Sequence, residues 1–353
     1  MKGWEVNQSF FLEWEGVRYR LPEDWSGLLS SDSFRSEMPE AANFLQKWFD
    51  KADIEQLTSG STGKPKRFLL DREKMKASAQ RTIDHFGLHS KARILVALGL
   101  DQIAGKMQLL RAMMAGATVV LVKPSSTPLE DVSGQFAFAS MVPMQFEKSL
   151  SSIHRIHTVL LGGAPVGPAR EKQWLKRMER PCFIGYGMSE TYSHIAIRQL
   201  GEGEYEAMDG VSFSVGENDA LQIHDAVLGL SVATTDQVEC SSPTRFRWLG
   251  RTDFVINSGG FKLQPEVIEN KLMEHVNCSL LLIGIDDDSP GEKAVLLIEG
   301  QEEPSETAEL ERALAELNKY ERPKELHRVE AFERTWTGKI DRKATKAAFL
   351  GGL

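Results

Sequence analysis

The chain has 353 residues, 41% hydrophobic and 26% charged, which describes an ordinary soluble protein long enough for two domains with real cores. With 42 Lys and Arg against 50 Asp and Glu, its net charge of -8 argues against a general nucleic-acid-binding surface but leaves room for a local basic pocket. Cys182, Cys240 and Cys278 lie far apart, without metal spacing or a disulfide framework, so a reduced cytoplasm is the expected setting.

The N-terminus shows no secretion-signal pattern, and no later segment reaches membrane-spanning length without charge. Residues 9–14 and 17–21 read as a short strand pair, followed by a helical pattern that ends in Phe44-Leu45-Gln46-Lys47-Trp48-Phe49. An apolar run then gives way to Thr58-Ser59-Gly60-Ser61-Thr62-Gly63-Lys64-Pro65-Lys66. Glycines let backbone N–H groups approach an anion, hydroxyls add rotatable donors and lysines add point charge, so this stretch suits a polyphosphate such as ATP. It is not a Walker loop, because Thr58 stands where the first glycine belongs and Pro65 where the Mg²⁺-binding hydroxyl belongs. By itself it divides evenly between a phosphate cradle and a Ser/Gly-rich surface turn.

Residues 71–86 form an amphipathic helical pattern and residues 93–98 a buried strand; a second helix over 105–115 and a second strand over 118–122 follow. Residues 158–161 and 182–184 are apolar runs that reach Gly162-Gly163 and Gly185, each expected as a strand ending in a glycine turn. This alternation predicts an α/β sheet with ligand loops at the strand ends. Residues 228–234 and 245–249 suggest a small antiparallel or barrel-like portion. Beyond it the pattern predicts a helix over 265–276, strands over 280–285 and 294–299, a helix over 306–318 and a strand over 325–332. The expected organisation is a large domain over 1–250 and a small α+β domain over 251–353.

Further motifs follow the loop: Leu161-Gly162-Gly163-Ala164-Pro165, Gly185-Tyr186-Gly187-Met188-Ser189-Glu190-Thr191, Thr234-Thr235-Asp236, Gly250-Arg251-Thr252-Asp253 with Gly259-Gly260, and Thr337-Gly338-Lys339-Ile340-Asp341-Arg342. In this order they resemble the adenylate-forming superfamily of acyl-CoA synthetases, peptide-synthetase adenylation domains and luciferases. The resemblance spans residues 58–342 and implies ATP, Mg²⁺ and a small C-terminal domain that moves between two half-reactions. It implies that Thr58, Ser59, Gly60, Ser61, Thr62, Gly63 and Lys66 hold phosphates, and that Gly163, Ala164 and Pro165 line the adenine pocket. Gly185, Tyr186, Gly187, Met188 and Ser189 would serve adenine and the α-phosphate, with the Tyr186 ring as stacking face and Glu190 as the catalytic ligand of Mg²⁺. Asp236 would accept hydrogen bonds from both ribose hydroxyls and Arg251 would hold the same region. Asp253 falls at the domain hinge, and Lys339 would neutralise charge at the α-phosphate during adenylation. Two departures stand out: Ser189 replaces the commoner threonine, and the segment before the phosphate loop is much shorter than is usual.

The same resemblance implies an acid–thiol ligase: a carboxylate and ATP give acyl-AMP and pyrophosphate, and a thiol, with CoA foremost, then takes the acyl group. In the segment 99–105 Gln102 stands where similar enzymes often carry histidine. Lys106 follows, either as the counter-charge for a second carboxylate on the acid or as a solvated first-turn residue. The shortened N-terminus and the prospect of a dicarboxylate make the chain similar to short 2-succinylbenzoate–CoA ligases of menaquinone biosynthesis. The rival readings are a ligase for another aromatic or aliphatic acid, a stand-alone adenylation enzyme loading a carrier protein, and a non-catalytic nucleotide-binding protein. Retention of Glu190 and Lys339 argues against the last, and the absence of a carrier-protein domain after the small domain argues against a multimodular synthetase. The sequence leaves the oligomeric state open.

Overall fold

A computed structural model of the chain describes residues 7, 9–21, 23–58, 66–276, 278–286, 291–301, 304–335 and 340–352. They divide into two compact units, the first comprising Met1–Gly162, Arg177–Ser212 and His224–Val232, the second Gly163–Lys176, Phe213–Ile223 and Ala233–Leu353.

The first unit opens with the expected strand pair, β1 (Phe11–Trp14) and β2 (Val17–Arg20), antiparallel across a turn at Glu15 and Gly16 that both carry positive φ. Helices α1 (Trp25–Ser30), α2 (Asp32–Glu37) and α3 (Pro39–Phe49) follow; proline at the first turn of α3 suits a position with no intrahelical N–H to donate. Strands β3 (Ile54–Thr58) and β4 (Lys66–Leu70) then form an antiparallel hairpin that is a sheet of its own. Helix α4 (Arg72–Phe86) starts at Asp71, whose carboxylate accepts from Glu73 N and Lys74 N, and ends at Gly87 in the left-handed region.

The alternation predicted from sequence continues through β5 (Arg93–Val96), α5 (Ile103–Ala115), β6 (Thr118–Leu121), β7 (Phe136–Met141), α6 (Pro143–Lys148) and β8 (Ile156–Leu161). Helix α7 (Pro168–Leu175), which belongs to the second unit, precedes β9 (Cys182–Met188), β10 (Ser193–Gln199) and β11 (Tyr205–Ala207). Within the first unit the strand order is β11-β10-β9-β8-β7-β5-β6-β1-β2. From β1 through β6, β5, β7 and β8 to β9 the pairing is parallel, whereas β10 runs antiparallel to β9. The parallel strands are almost continuously apolar because helices cover them, and Leu95, Val96, Val119, Phe138, Val159 and Leu161 are fully or nearly fully buried.

Beyond β5 the chain turns irregular, and buried glutamines satisfy carbonyls there and in β5 itself. Gln108 donates to Leu95 O at 2.6 Å, Gln145 to Ala97 O at 3.0 Å and Gln56 to Asp101 O at 3.1 Å. A loop whose buried backbone groups are paired in this way keeps one conformation.

In the second unit the strands β12 (Val211–Val215), β13 (Ala220–Asp225), β14 (Leu230–Ser242) and β15 (Arg245–Arg251) are neighbours in chain order, and β14 pairs antiparallel with β15. The divide between the units runs through the first three of these. The α+β portion contains β16 (Ile256–Ser258), β17 (Phe261–Leu263), α8 (Pro265–Met273), β18 (Leu280–Asp286), β19 (Glu292–Glu299), α9 (304–316), β20 (Glu325–Val329) and α10 (Arg342–Gly351). One face of the β18-β19-β20 sheet packs Leu280, Leu282, Leu296 and Ile298 against Ile268 and Leu272 of α8 and Leu310 of α9. The other face packs Leu281, Ile283, Val295 and Leu297 against Phe332 and Phe349. Strand alternation thus serves two helical layers.

Helix α10 is an element that the sequence pattern did not announce. Asp341 caps it by accepting from Ala344 N at 3.0 Å, and Arg342 reaches from its first turn to Glu269 through two hydrogen bonds of 2.7 and 2.8 Å. Strand β9 also departs from expectation, continuing through Gly185 and Gly187 to Met188 instead of turning at the first glycine. The second glycine serves close approach: a Cβ at Gly187 would lie 2.2 Å from the Ser193 carbonyl oxygen on β10.

Candidate active site

In the first unit the predicted phosphate-binding stretch begins and ends on two antiparallel strands. Thr58 and Lys66 face each other as the last paired residues of β3 and β4, while residues 59–65 lie outside the described residues. The adenine motif occupies the end of β9. Tyr186 presents a half-buried ring 5.7 Å from that of Tyr205, tilted by 57°, and Gly185 and Gly187 keep the backbone flush with β10.

After Met188 the chain enters a short turn, Ser189–Thr191, that exposes Glu190. Thr191 is 1% exposed and closes the turn, its hydroxyl accepting from Met188 N at 3.0 Å and lying 2.8 Å from Ser193 O. The residues that follow carry positive φ, 58° at Tyr192 and 140° at Ser193, conformations that cost of order 1 to 3 kcal/mol each. Their neighbours hold them there. Asp71 N donates to the Tyr192 hydroxyl, Ser78 Oγ donates to Tyr192 O, and Arg111 donates to Ser193 Oγ.

Arg111 is 2% exposed in the middle of α5. Its partners are the Ser193 hydroxyl and, at 3.5 Å, His194 Nδ1; among the described residues no carboxylate pairs with it, and its Nε has no partner. Burial lowers its pKa to about 9. Burial, with the positive charges of Arg111 and Arg81 and the His85 ring beside it, also holds His194 well below its ordinary value, so the ring is neutral and takes Thr82 Oγ1 at 3.3 Å on its other nitrogen. Arg81, by contrast, is paired with Asp225 at 2.8 Å. Sequence reasoning missed Arg111, although a single arginine among Met107, Leu109, Leu110, Ala112 and Met113 was a signal: a predominantly apolar stretch offers little solvent face to receive a charge.

The two acid-side candidates are placed differently. Gln102 is half-buried at the start of α5 and donates to the Asp101 carboxylate at 2.8 Å. Lys106 is not solvated: only 7% exposed, it donates to Gln56 Oε1 at 2.8 Å and to Asp101 O at 3.0 Å, and burial lowers its pKa to about 8.

In the second unit Asp236 and Arg251 are register partners on β14 and β15, with Arg251 Nη1 3.7 Å from Asp236 Oδ1 and Arg251 Nη2 donating to Asp253 at 2.8 Å. The two predicted ribose-binding residues and the predicted hinge residue therefore form one cluster. Asp236 is 8% exposed and its N–H donates to Thr234 Oγ1, which fixes the backbone before the β-bulge at Gln237. The Gly163-Ala164-Pro165 segment belongs to this unit, with Gly163 at a φ of 86°. Lys339 lies outside the described residues.

Residues 30–229 match the family of AMP-binding enzymes. A 2-succinylbenzoate–CoA ligase of Listeria monocytogenes is 29% identical over 344 residues, covering 87% of this chain and 72% of the relative. An AMP-forming acyl-CoA synthetase/AMP-acid ligase II-like protein of Dyadobacter fermentans is 34% identical with a TM-score of 0.57, covering 88% of this chain and 93% of that one. The fold is also that of the O-succinylbenzoate coenzyme A synthetase of Bacillus subtilis in complex with ATP and magnesium ion, at a TM-score of 0.70 and 20% identity over 83% of this chain and 69% of that one.

The fold and its motifs thus define an adenylate-forming enzyme. The chain belongs to the AMP-binding family, within the superfamily of AMP-forming acid–CoA ligases.

Proposed function

We propose that this protein is an ATP-dependent ligase that activates 2-succinylbenzoate as its acyl-adenylate and passes it to CoA, a step of menaquinone biosynthesis carried out in the cytoplasm. The observation that carries the choice of acid is Arg111. A guanidinium withdrawn from water among neutral partners is costly, and an incoming carboxylate removes that cost. A substrate with two carboxylates matches it: one group reacts with ATP and the other meets the buried positive charge. Arg111 is bonded to Ser193 and His194, the residues that follow the turn bearing Glu190, so the counter-charge adjoins the strand end assigned to the nucleotide. The similarity to the Listeria ligase supports the same acid.

In this reading Tyr186 stacks on adenine, Asp236 offers two oxygens to two ribose hydroxyls, and Arg251 is steadied by Asp253 until the nucleotide competes for it. Residues 58–63 with Lys66 hold the phosphates, and Lys339 stabilises the charge shared by attacking and leaving oxygens at the α-phosphorus. The domain boundary falls at 250/251, and rotation about Asp253 brings Lys339 in for adenylation and out for thiol transfer. Glu190 fits a Mg²⁺ ligand: its carboxylate is exposed on a braced turn, and among the described residues there is no protein cluster able to hold a metal alone. That suits an ion held by one carboxylate together with nucleotide oxygens and water. When bound, Mg²⁺ neutralises phosphate charge.

The test is pyrophosphate release from ATP across a panel of aromatic and aliphatic acids, followed by mass detection of the CoA thioester. Turnover that needs 2-succinylbenzoate and CoA alone supports the proposal. Turnover of a simple monocarboxylic acid with 2-succinylbenzoate ignored refutes the choice of acid, and adenylation without acceptance of CoA points to a carrier-protein thiol.

A further inference from the structure

The β3–β4 hairpin is not hydrogen-bonded into the large sheet, and a two-stranded ribbon is marginal by itself, so its position depends on side chains that tie it to its surroundings. Along β3 the period-2 pattern turns Ile54 and Gln56 inward and leaves Leu57 exposed. Gln56 is thus a polar group in a core position, 1% exposed, and it is tolerated only if its amide is satisfied.

Its partners lie in the segment that the sequence resemblance assigns to the acid. Gln56 Nε2 donates to Leu57 O at 2.9 Å and to Asp101 O at 3.1 Å, and Gln56 Oε1 accepts from Lys106 Nζ at 2.8 Å. Lys106 Nζ donates in turn to the same Asp101 carbonyl at 3.0 Å. The helix end that presents Lys106 is itself fixed, since Gly105 packs so tightly that a Cβ there would lie 2.2 Å from Gly99 O. Both contacts run to a strand whose last residue, Thr58, begins the predicted ATP-binding stretch.

We infer that Gln56 and Lys106 are a pair of positioning residues that lock the phosphate hairpin to the first turn of α5, so that affinity for ATP depends on a lysine on the acid side of the site. Lys106 then acts on the nucleotide through Gln56 without touching it, and events at the acid-binding end are transmitted to the hairpin through one charge-assisted hydrogen bond. The inference rests on ATP being the nucleotide bound.

The electrostatic setting makes the lock titratable. Lys106 is affected first by burial, which lowers its pKa to about 8, then by Asp101 from the preceding loop, which raises it, and by Lys47 of α3, which lowers it. Above that value the ammonium becomes a neutral amine and the bond to Gln56 loses its charge assistance.

The experiment is calorimetric titration of the full chain with a non-hydrolysable ATP analogue and no acid present, for wild type, Gln56→Leu, Lys106→Met and the double variant, at pH 7 and pH 9.5. At pH 7 each single variant is expected to bind about tenfold more weakly, the scale of one charge-assisted hydrogen bond, and the double variant no more weakly than either single. The wild type is expected to weaken toward the variants at pH 9.5, while their affinities stay level. Should Gln56→Leu fail to fold, Lys106→Met and the wild-type pH series decide the matter. Additive losses, a pH-independent wild type, or unchanged ATP affinity with only the acid's KM raised would each overturn the lock. A wild type that binds no ATP analogue would overturn both the lock and the nucleotide assignment.

Discussion

Replacing Glu266 with glutamine is expected to stabilise the protein above neutral pH and to change little at pH 5. Glu266 stands in the first turn of α8, 8% exposed, and burial raises its carboxyl pKa from 4.5 to about 7, with Glu269 adding to the rise and Arg342 opposing it. Its Oε2 and the Oε1 of Gln264 are buried without hydrogen-bond partners, and both crowd Gly250, where a Cβ would lie 2.7 Å from the first and 3.4 Å from the second. A buried carboxylate oxygen without a donor is costly to ionise. Because the folded pKa lies above the unfolded one, the folded chain holds the extra proton between pH 4.5 and about 7. Stability from the protonated carboxyl is therefore complete below 4.5 and is lost as pH rises through about 7. A shift of that size disfavours the ionised form by roughly 3 kcal/mol. Glutamine keeps the shape, stays neutral and brings a donor. In urea unfolding, Glu266→Gln minus wild type is expected to be below about 1 kcal/mol at pH 5 and roughly 2 to 3 kcal/mol in the variant's favour at pH 8. An equal difference at the two pH values would refute the argument, because it would mean that Glu266 does not titrate in that window.

Lys339→Ala is expected to abolish formation of the acyl-adenylate while leaving thioester formation from supplied acyl-adenylate largely intact; equal loss of both half-reactions removes Lys339 from its proposed role. Asp253→Pro fixes φ near about −65° and breaks the 2.8 Å contact with Arg251, so it should slow one half-reaction far more than the other, as single-turnover rates would reveal. Gly187→Ala drives a Cβ into the Ser193 carbonyl and should cost about 1 to 3 kcal/mol in urea unfolding and weaken AMP binding, whereas an unchanged midpoint would show that β10 yields without strain.

What was legible in the sequence is what neighbouring residues encode together. The parallel strands announced themselves as short apolar runs, and α4 by its period, because burial on both faces or on one stripe leaves a local pattern. The motifs around Tyr186, Asp236 and Arg251 stood out for a different reason: they follow one another in the order in which the family that the chain resembles carries them. The polar contacts that join distant parts of the chain were not legible, and their partners show why. Gln56 meets Lys106 across 50 residues, Arg111 meets Ser193 across 82, and Arg342 meets Glu269 across 73. None of these pairs shares a periodicity, and one member of the first pair is a neutral amide with nothing in its local context to mark it. Lys106 illustrates the consequence. Read locally it is either a solvated first-turn residue or a free cation awaiting an acid, and in the fold it is committed to Gln56 and to a backbone carbonyl. Arg111, on the same helix but more deeply buried, also has no anionic partner among the described residues, and a guanidinium so enclosed is costly to leave unneutralised, so a second substrate carboxylate would gain from meeting it.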